Sequence, residues 1–248
     1  MNKVYAVGIG PGNAGQMTQE AREVIVGCQV IIGYTVYVEL VKKELQESGA
    51  GDKEFVSTPM KQEAKRCRIA LEQAAGGKKV AMVCSGDAGV YGMAGLLLEM
   101  AKDYPEVEVE VIPGVTAALS GAAVLGAPLG HDFAVISLSD LLTPWEKIEK
   151  RIIAASEADF CICLYNPSSR KRSGHLKKAC ELILKSREAD TVCGVVRNIG
   201  REGESFAVYT LKQLKDVETD MFTTVFIGNS QTRCVNGRMV TPRGYRNE

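Results

Sequence analysis

The chain has 248 residues, 46% of them apolar and 24% charged, an ordinary balance for a protein with one large or two modest domains. Its 30 basic and 30 acidic side chains give a net charge of zero. This argues against a nucleic-acid partner, because proteins that bind nucleic acids usually carry an excess of basic residues. No stretch is apolar for long enough to span a bilayer, and the residues around Val4 do not resemble a signal peptide. We therefore expect a cytoplasmic protein with neither a membrane nor a nucleic acid as its partner.

Short apolar runs alternate with amphipathic segments along the chain. Strands are predicted at residues 4–7, 30–32, 79–84, 107–112, 133–138, 160–165, 192–197 and 223–227, and several are apolar at consecutive positions, as in strands buried on both faces. Helices are predicted at residues 61–75, 147–155 and 176–185. This alternation predicts an α/β fold with mostly parallel strands joined by helical crossovers.

Pro113-Gly114 is the best candidate for a domain boundary, because both residues interrupt regular structure. The expected α/β domains are residues 1–113 and 114–248. Strand patterns near the end of the chain indicate a mixed sheet or an α+β arrangement in the second domain.

The eight cysteines are scattered and form no CxxC pair. Cys161 and Cys163 alternate on a predicted strand and share one face, but a metal site there would need two more ligands, and none stands at ligand spacing. We therefore predict buried thiols that pack in the core of a cytosolic protein, and no metal site.

A glycine-rich loop follows the first predicted strand. The letters Gly10-x-Gly12-x-x-Gly15 fit the dinucleotide-binding fingerprint, in which glycines let the backbone approach a phosphate. Pro11 removes a backbone donor inside this loop, and no acid stands between the second strand and Glu39 to hold a ribose. A nicotinamide-dependent oxidoreductase is therefore an alternative only, and a plain strand–helix turn is another.

Two more loops of small residues come directly after predicted strands. Ligands in open α/β sheets lie beyond the carboxyl ends of the strands, so Asp87 in the loop 85–92 is placed to accept hydroxyl or amine groups. Asp87 is equally suited to cap the next helix. Thr116, which follows Pro113-Gly114, either offers its hydroxyl to a ligand or caps the helix that begins there.

Polar residues also flank the later strands. His131 precedes a strand, and its neighbour Asp132 is placed to orient it. Asp140 lies in the segment 137–145 (SLSDLLTPW), where it can also cap the helix that Pro144 starts. The triplet Arg170-Lys171-Arg172 suits carboxylate recognition, although such a triplet alone is more often a solvated loop. Residues 196–204, 227–232 and 241–245 combine polar and small residues and are compatible with plain turns.

These motifs together resemble the tetrapyrrole methylase family. The Gly-Ile-Gly-Pro-Gly loop at 8–12, the Gly86-Asp87 loop that ends in Tyr91-Gly92, and the segment 113–117 occur in the family's order and spacing, and the resemblance runs from about Val4 to Tyr245. The segments 131–133, 137–145, 164–167 and 241–245 resemble the branch that methylates C17 of precorrin-3B. One departure is Ala88, where proline is common in the family.

The resemblance implies a two-domain architecture with an active-site cleft between the domains, S-adenosylmethionine as cofactor, a tetrapyrrole (precorrin) substrate and a homodimer. The loop with Gly10 and Gly12 is implied to face the tetrapyrrole. The residues implied around the cofactor are Pro11, Gly86, Asp87, Val90, Thr116, Ala117, Tyr165, Asn198, Ile199, Asn229 and Ser230.

The implied reaction is methylation of C17 of precorrin-3B or its cobalt form, with ring contraction that gives the corresponding precorrin-4. Contraction requires proton movement, so a general acid or base is expected, and the candidates are His131 with Asp132, then Asp140. The substrate's carboxylates are expected to pair with cations drawn from Arg170, Lys171, Arg172, Arg197 and Arg201. The alternatives are a precorrin methylase acting at C11 or C20, the nicotinamide enzyme, and a tetrapyrrole carrier without activity.

Overall fold

The computed structural model describes residues 2–47, 52–169 and 173–245. The chain divides into two compact units, unit 1 (Met1–Thr116) and unit 2 (Ala117–Glu248), each with its own sheet and apolar core. The division falls three residues after Pro113. Within the described ranges, no helix combines the length and the apolar character needed to cross a bilayer.

Unit 1 contains a parallel sheet with helices on both faces. Its strands are β1 (Asn2–Gly8), β2 (Val30–Tyr34), β3 (Glu54–Thr58), β4 (Val80–Cys84) and β5 (Val107–Ile112), in the order β3-β2-β4-β1-β5. Its helices are α1 (Gln19–Gly27), α2 (Thr35–Glu47), α3 (Glu63–Ala75) and α4 (Ala94–Met100), with short 3-10 turns at Ala14–Gln16 and Ala101–Asp103.

The side chains of β4 show why this strand is apolar throughout. Val80 and Met82 pack against α3 and α4, whereas Ala81 and Val83 point to the opposite face and pack against α1 and α2. Successive side chains of a strand alternate between faces, so a strand covered on both faces must be apolar at every position. Because all five strands run in the same direction, the loops after them gather at one end of the sheet.

Unit 2 contains a mixed sheet, as the later strand patterns indicate. Its strands are β7 (Phe133–Ser137), β8 (Cys161–Tyr165), β9 (Val192–Arg197), β10 (Ser205–Thr210) and β11 (Thr223–Ile227), in the order β10-β9-β11-β8-β7. A small second sheet is formed by β6 (Gly126–Ala127), β12 (Arg233–Val235) and β13 (Arg238–Val240). The helices are α5 (Ala117–Leu125), α6 (Trp145–Glu157), α7 (His175–Ile183) and α8 (Leu211–Leu214). Helices α6, α7 and α8 cover one face of the large sheet, and α5 covers the other.

The strand directions give the large sheet of unit 2 two distinct ends. Strands β7, β8 and β9 point one way, while β10 and β11 run antiparallel to their neighbours. We call the end where β7, β8 and β9 finish the carboxyl end, and the end where β7 and β8 start the amino end. Strand β11 begins at the carboxyl end, where Thr223 pairs with Arg197, and finishes at the amino end, where Ile227 pairs with Ile162. A five-residue strand separates the two ends by about 16 Å.

Candidate functional site

Three loops are joined backbone to backbone at the carboxyl end of the unit 1 sheet. Gly10 and Gly86 form an isolated bridge, in which the Gly10 amide donates to Gly86 O (3.1 Å) and the Gly86 amide donates to Gly10 O (2.7 Å). A Cβ atom on Gly114 would lie 2.1 Å from Gly86 O, and one on Gly8 would lie 2.7 Å from Gly114 N. The glycines of these three loops are therefore required for close packing of the loops after β1, β4 and β5.

Asp87 connects two of these loops through its carboxylate. Oδ1 accepts the amides of Gly89 (2.8 Å) and Val90 (3.2 Å), and Oδ2 accepts the amide of Gly114 (2.9 Å). Helix α4 begins only at Ala94, so Asp87 does not cap it. A carboxylate oxygen has two lone pairs, and Oδ2 with one amide partner keeps capacity for another donor.

The rest of the unit 1 loops combines buried and exposed residues. Pro11 is buried, whereas Val90 and Tyr91 are exposed, and Tyr91 has a left-handed backbone (φ 53°) that is uncommon for a side chain of its size. Thr18 caps α1 by accepting the Ala21 amide and donates to Pro113 O (3.3 Å), which links the loops after β1 and β5. Thr116 is the last residue of the unit and is partly exposed.

The dinucleotide fingerprint is not formed by the first glycine loop. The residues after Gly12 form a 3-10 turn, and α1 starts only at Gln19 with Thr18 as its cap. A Rossmann phosphate site needs the glycine loop to open directly into the helix, so this geometry disfavours the nicotinamide alternative.

Tyr165, Asn198 and Ile199 lie together at the carboxyl end of the unit 2 sheet. Tyr165 ends β8, and its hydroxyl accepts the Ala118 amide (2.5 Å) in the first turn of α5, the helix that begins at Ala117. Asn198 follows β9 with a left-handed backbone (φ 51°), and its side-chain amide donates to Gly203 O (3.5 Å). Ile199 is buried against α5. These residues share one end of the sheet, as their positions after parallel strands require.

Asn229 and Ser230 lie at the amino end of the unit 2 sheet, the opposite end from Tyr165, Asn198 and Ile199. They follow β11, whose carboxyl end faces the start of β8 because the two strands are antiparallel. The Asn229 side chain accepts from the Gln231 amide (3.0 Å) and from Thr232 Oγ1 (3.1 Å). Ser230 donates to the carboxylate of Asp159 through both its amide and its hydroxyl. The structure therefore does not bring these two residues to Tyr165: the Asn229 side chain stabilises a turn, and Ser230 links that turn to the segment before β8.

His131 and Asp132 also lie at the amino end, directly before β7. They line a cavity of about 530 Å³ together with Arg243 and Phe160. Nε2 of His131 is buried and has no hydrogen-bond partner among the described residues. His131 and Asp132, the expected acid–base pair, are thus separated from Tyr165 by the length of a strand.

Asp140, the other acid–base candidate, lies at the carboxyl end in the loop after β7. Its Oδ2 atom is 3.6 Å from Nε2 of His175, the first residue of α7. Sequence reasoning missed His175, because nothing in its local pattern distinguishes it from any other residue at a helix start. It also missed the buried Thr223 and Thr224, which begin β11 beside the end of β9. Only the antiparallel direction of β11 places those two hydroxyls there.

The predicted cationic contacts fall into two groups. Arg170, Lys171 and Arg172 lie outside the described residues. Arg197 is at the carboxyl end of β9, and its guanidinium donates to Glu218 O. The guanidinium of Arg201 lies over the ring of Phe222, 5.4 Å from its centroid. That Arg197 and Arg201 bind carboxylates of the substrate stays a prediction.

The thiols pack as the composition predicted. Seven cysteines are buried, and Cys234 alone is exposed. Burial raises the pKa of Cys67 and of Cys180 from 9.0 to about 12, and burial likewise raises the pKa of Cys28 to about 11. Across the described ranges, no three histidine, cysteine or acidic side chains are grouped as metal ligands.

The model of one protein family, the tetrapyrrole (corrin/porphyrin) methylases, matches residues 3–215. The chain therefore belongs to the tetrapyrrole (corrin/porphyrin) methylase family, and the resemblance drawn from the glycine loops is confirmed.

Relatives and solved structures place the chain more narrowly. It is 50% identical over 240 residues to a probable cobalt-factor III C(17)-methyltransferase of Salmonella typhimurium, covering 96% of this chain and 98% of the relative. It is 41% identical over 251 residues to a precorrin-3B C(17)-methyltransferase of Sinorhizobium, covering 98% and 96%. The crystal structure of the methyltransferase CobJ superposes with a TM-score of 0.87 at 34% identity, covering 98% of this chain and 100% of that one.

Other matches show the fold or a longer relative. The chain spans 45% of the length of a cobalt-factor III methyltransferase of Priestia megaterium, to which it is 46% identical over 98% of its own residues. A uroporphyrin-III C-methyltransferase from Thermus thermophilus, solved with S-adenyl homocysteine, shares the fold with a TM-score of 0.71 at 21% identity, covering 91% of this chain and 97% of that one.

Proposed function

We propose that this protein is an S-adenosylmethionine-dependent C-methyltransferase that methylates C17 of a precorrin-3B-type tetrapyrrole, metal-free or cobalt-loaded, in cobalamin biosynthesis. The observation that carries the proposal is the 50% identity to the Salmonella relative over nearly the whole of both chains. The 41% identical Sinorhizobium relative, named for the same carbon, supports the position of methylation. The proposed reaction includes ring contraction to the corresponding precorrin-4.

The donor set of the unit 1 loops fits the proposed cofactor. It offers the remaining acceptor capacity of Asp87 Oδ2, which suits ribose hydroxyl and amine donors, and the exposed side chain of Val90, which suits an apolar ring. When bound, S-adenosylmethionine supplies a methyl group already activated by a sulfonium, so the protein's main task is alignment. Rigid positioning of reactants lowers such barriers by about 7–11 kcal/mol. The cross-linked glycine loops supply that rigidity.

In unit 2, we assign the proposed cofactor contacts to Ala117, Tyr165, Asn198 and Ile199, and leave Asn229 and Ser230 out. The first four lie at the carboxyl end, and the last two lie at the amino end, where Asn229 Oδ1 and the amide and hydroxyl of Ser230 are already hydrogen-bonded. The same geometry favours Asp140 over His131 as the group that moves a proton during ring contraction, because Asp140 lies at the carboxyl end. Arg197 and Arg201 remain the described candidates for pairing with substrate carboxylates.

The experiment that tests the proposal combines binding and turnover. Calorimetric titration with S-adenosylhomocysteine should show a single site, and titration with NAD should show none. Incubation with S-adenosylmethionine and either cobalt-factor III or precorrin-3B should add one methyl group to at least one of these tetrapyrroles, as read by mass spectrometry. Binding of NAD without S-adenosylhomocysteine would contradict the proposal, and so would tetrapyrrole binding without methyl transfer. We further propose a cytoplasmic protein, and a homodimer, as the resemblance implies; light scattering at the concentration used in the assay tests the dimer.

A further inference from the structure

Two consecutive leucines are exposed in the loop between β7 and α6. Leu142 is 98% exposed and Leu141 is 65% exposed. Single exposed apolar residues are common on protein surfaces, but two neighbours at the tip of one loop form a small apolar patch of the kind that contacts a ligand or partner. Their place after β7, at the carboxyl end, is shared with Tyr165 and Asn198.

The base of this loop is fixed, although its tip is exposed. The Leu138 amide donates to Tyr165 O (2.8 Å), and Ser137 Oγ accepts both the Ser139 amide (3.2 Å) and the side-chain amide of Asn166 (2.9 Å). A tip carried on an ordered base loses less conformational entropy when it binds, which favours a specific contact.

One imidazole holds the segment on both sides of the leucines. Nδ1 of His175 lies 2.9 Å from Leu138 O, and Nε2 lies 3.6 Å from Oδ2 of Asp140. The ring of His175 packs against the ring of Trp145, with centroids 4.5 Å apart. Trp145 begins α6 and follows the leucines, so His175 contacts the chain before and after the exposed tip.

The contacts also determine how the imidazole is used. Leu138 O accepts only, so Nδ1 carries the hydrogen in this contact. Charged groups of the described residues that contact Trp145 include Glu149, which accepts from Trp145 Nε1 (2.5 Å), and Lys178, whose ammonium lies 5.7 Å from the Trp145 centroid. His175 is 12% exposed, and its contacts are those of a clamp between α7 and the loop.

We propose that His175 is a positioning residue that holds the Leu141-Leu142 tip for contact with the apolar face of the tetrapyrrole macrocycle. The inference rests on the proposed function, because it takes the substrate class from it. A planar macrocycle with carboxylates at its rim offers large apolar faces, and two leucines at the end of a rigid loop match such a face.

The first test uses Leu142→Ser, with Val235→Ser as its matched control. Both residues are exposed apolar side chains of unit 2, so neither change should affect folding. Absorbance titration with cobalt-factor III and with precorrin-3B should show about tenfold weaker tetrapyrrole binding for Leu142→Ser, and KM should rise by the same factor while kcat changes less than about twofold. The dissociation constant of S-adenosylhomocysteine should not change, and Val235→Ser should match the wild type in every measurement. An unchanged tetrapyrrole affinity in Leu142→Ser would overturn the inference.

The second test concerns His175. Asparagine can replace the Nδ1 donor toward Leu138 O, so His175→Asn should retain more tetrapyrrole affinity than His175→Ala. If His175 acts through the tip, Leu142→Ser added to His175→Ala should weaken binding less than the product of the two single effects. If the losses of tetrapyrrole affinity in the two single variants multiply fully in the double variant, the positioning role is overturned. If His175→Ala fails to fold, the same cycle is run with His175→Asn.

Failure of this inference differs from failure of the proposed function. A wild-type protein that binds a tetrapyrrole but transfers no methyl group contradicts the function, while the Leu142→Ser titration still reports on the tip. A wild-type protein that methylates its substrate with no loss of affinity in Leu142→Ser contradicts the inference alone. No tetrapyrrole binding by the wild type contradicts both.

Discussion

At the scale of single residues, the two acid–base candidates are distinguished by the strand ends next to which they lie. Asp140 follows the end of β7, whereas His131 and Asp132 precede its start. Both positions border the same strand, and a strand of this length separates its two ends by about 16 Å. A proton-transferring group must come within hydrogen-bond reach of the reacting atoms, so at most one of the two positions can serve a substrate bound near Tyr165.

This separation gives a prediction for ring contraction. Asp140→Asn should retain methyl transfer but lower the rate of contraction by about 100-fold, because the amide cannot accept the proton. His131→Gln should contract its substrate at the wild-type rate. Product masses from the two variants check this, and loss of contraction in His131→Gln alone would reverse the assignment.

A second residue-scale prediction concerns the joined glycine loops. Gly114→Ala should lower the free energy of unfolding by about 1–3 kcal/mol, because its Cβ atom would lie 2.1 Å from Gly86 O, a backbone atom that cannot move aside cheaply. Gly95→Ala is the matched control: its Cβ would meet nothing within 4 Å, and in a helix it should raise stability by about 0.5–1 kcal/mol. Urea unfolding of both variants checks the pair, and equal stabilities would refute the packing explanation.

At the scale of elements, a buried cation connects α3 to the loop after β3. Arg66 is 4% exposed, and its guanidinium donates to Thr58 Oγ1 (2.8 Å), Thr58 O (3.3 Å) and Pro59 O (3.1 Å). It also approaches the sulfur of Met93 in the loop after β4 (3.7 Å). One side chain therefore links a helix to two loops at the carboxyl end of the unit 1 sheet.

Removal of this cation should be costly. Arg66→Met should lower the free energy of unfolding by about 2–4 kcal/mol, because it leaves the oxygen atoms of Thr58 and Pro59 without their buried donors. Arg68→Met, an exposed position on the same helix, should stay within about 0.5 kcal/mol of the wild type. Denaturant midpoints measured in parallel decide the matter, and a stable Arg66→Met protein would show that the guanidinium is dispensable.

The sequence predicted the buried elements better than the exposed ones. All eight predicted strands are present; six of them are largely buried apolar runs that are easy to recognise, whereas β5 and β7 are partly exposed. Strands β3 and β10 were missed: they are the outermost strands on one side of their sheets, and their partly exposed residues give no such run. The short strands of the small sheet were missed for the same reason, since only Met239 among them is buried.

The site was predicted less completely than the fold, and strand direction is the reason. Residues after parallel strands meet at one end of a sheet, and Asp87, Tyr165 and Asn198 each lie at the carboxyl end of the sheet of their own unit, although their contact with the cofactor stays a prediction. Asn229 follows a strand with the same apolar pattern, but β11 is antiparallel and carries it to the other end. Periodicity does not report strand direction, so Asn229 could not be placed and Thr223 could not be found from the sequence.

At the scale of the whole molecule, buried thiols in both units couple stability to alkaline pH. Burial raises the pKa of Cys28, Cys67, Cys84 and Cys180 from 9.0 to between about 11 and about 12. The folded state therefore holds protons that the unfolded chain releases above pH 9. This stabilisation is fully present below pH 9 and is lost as the pH rises toward about 11–12.

This linkage predicts both a stability profile and a labelling pattern. These thiols should not change the midpoint of urea unfolding at neutral pH. Above pH 9 the midpoint should fall steadily. Iodoacetamide at pH 8 should label Cys234 in the folded protein and all eight cysteines after denaturation. Rapid labelling of a second thiol in the native protein would contradict the burial.

The central claim concerns one carbon of one substrate class, and the position of the transferred methyl group tests it most directly. S-adenosylmethionine carrying ¹³C in its methyl group, incubated with the protein and cobalt-factor III or precorrin-3B, should give a product whose enriched ¹³C NMR signal belongs to a methyl group on C17. Enrichment at C11 or C20 instead would contradict the account while leaving the family membership intact.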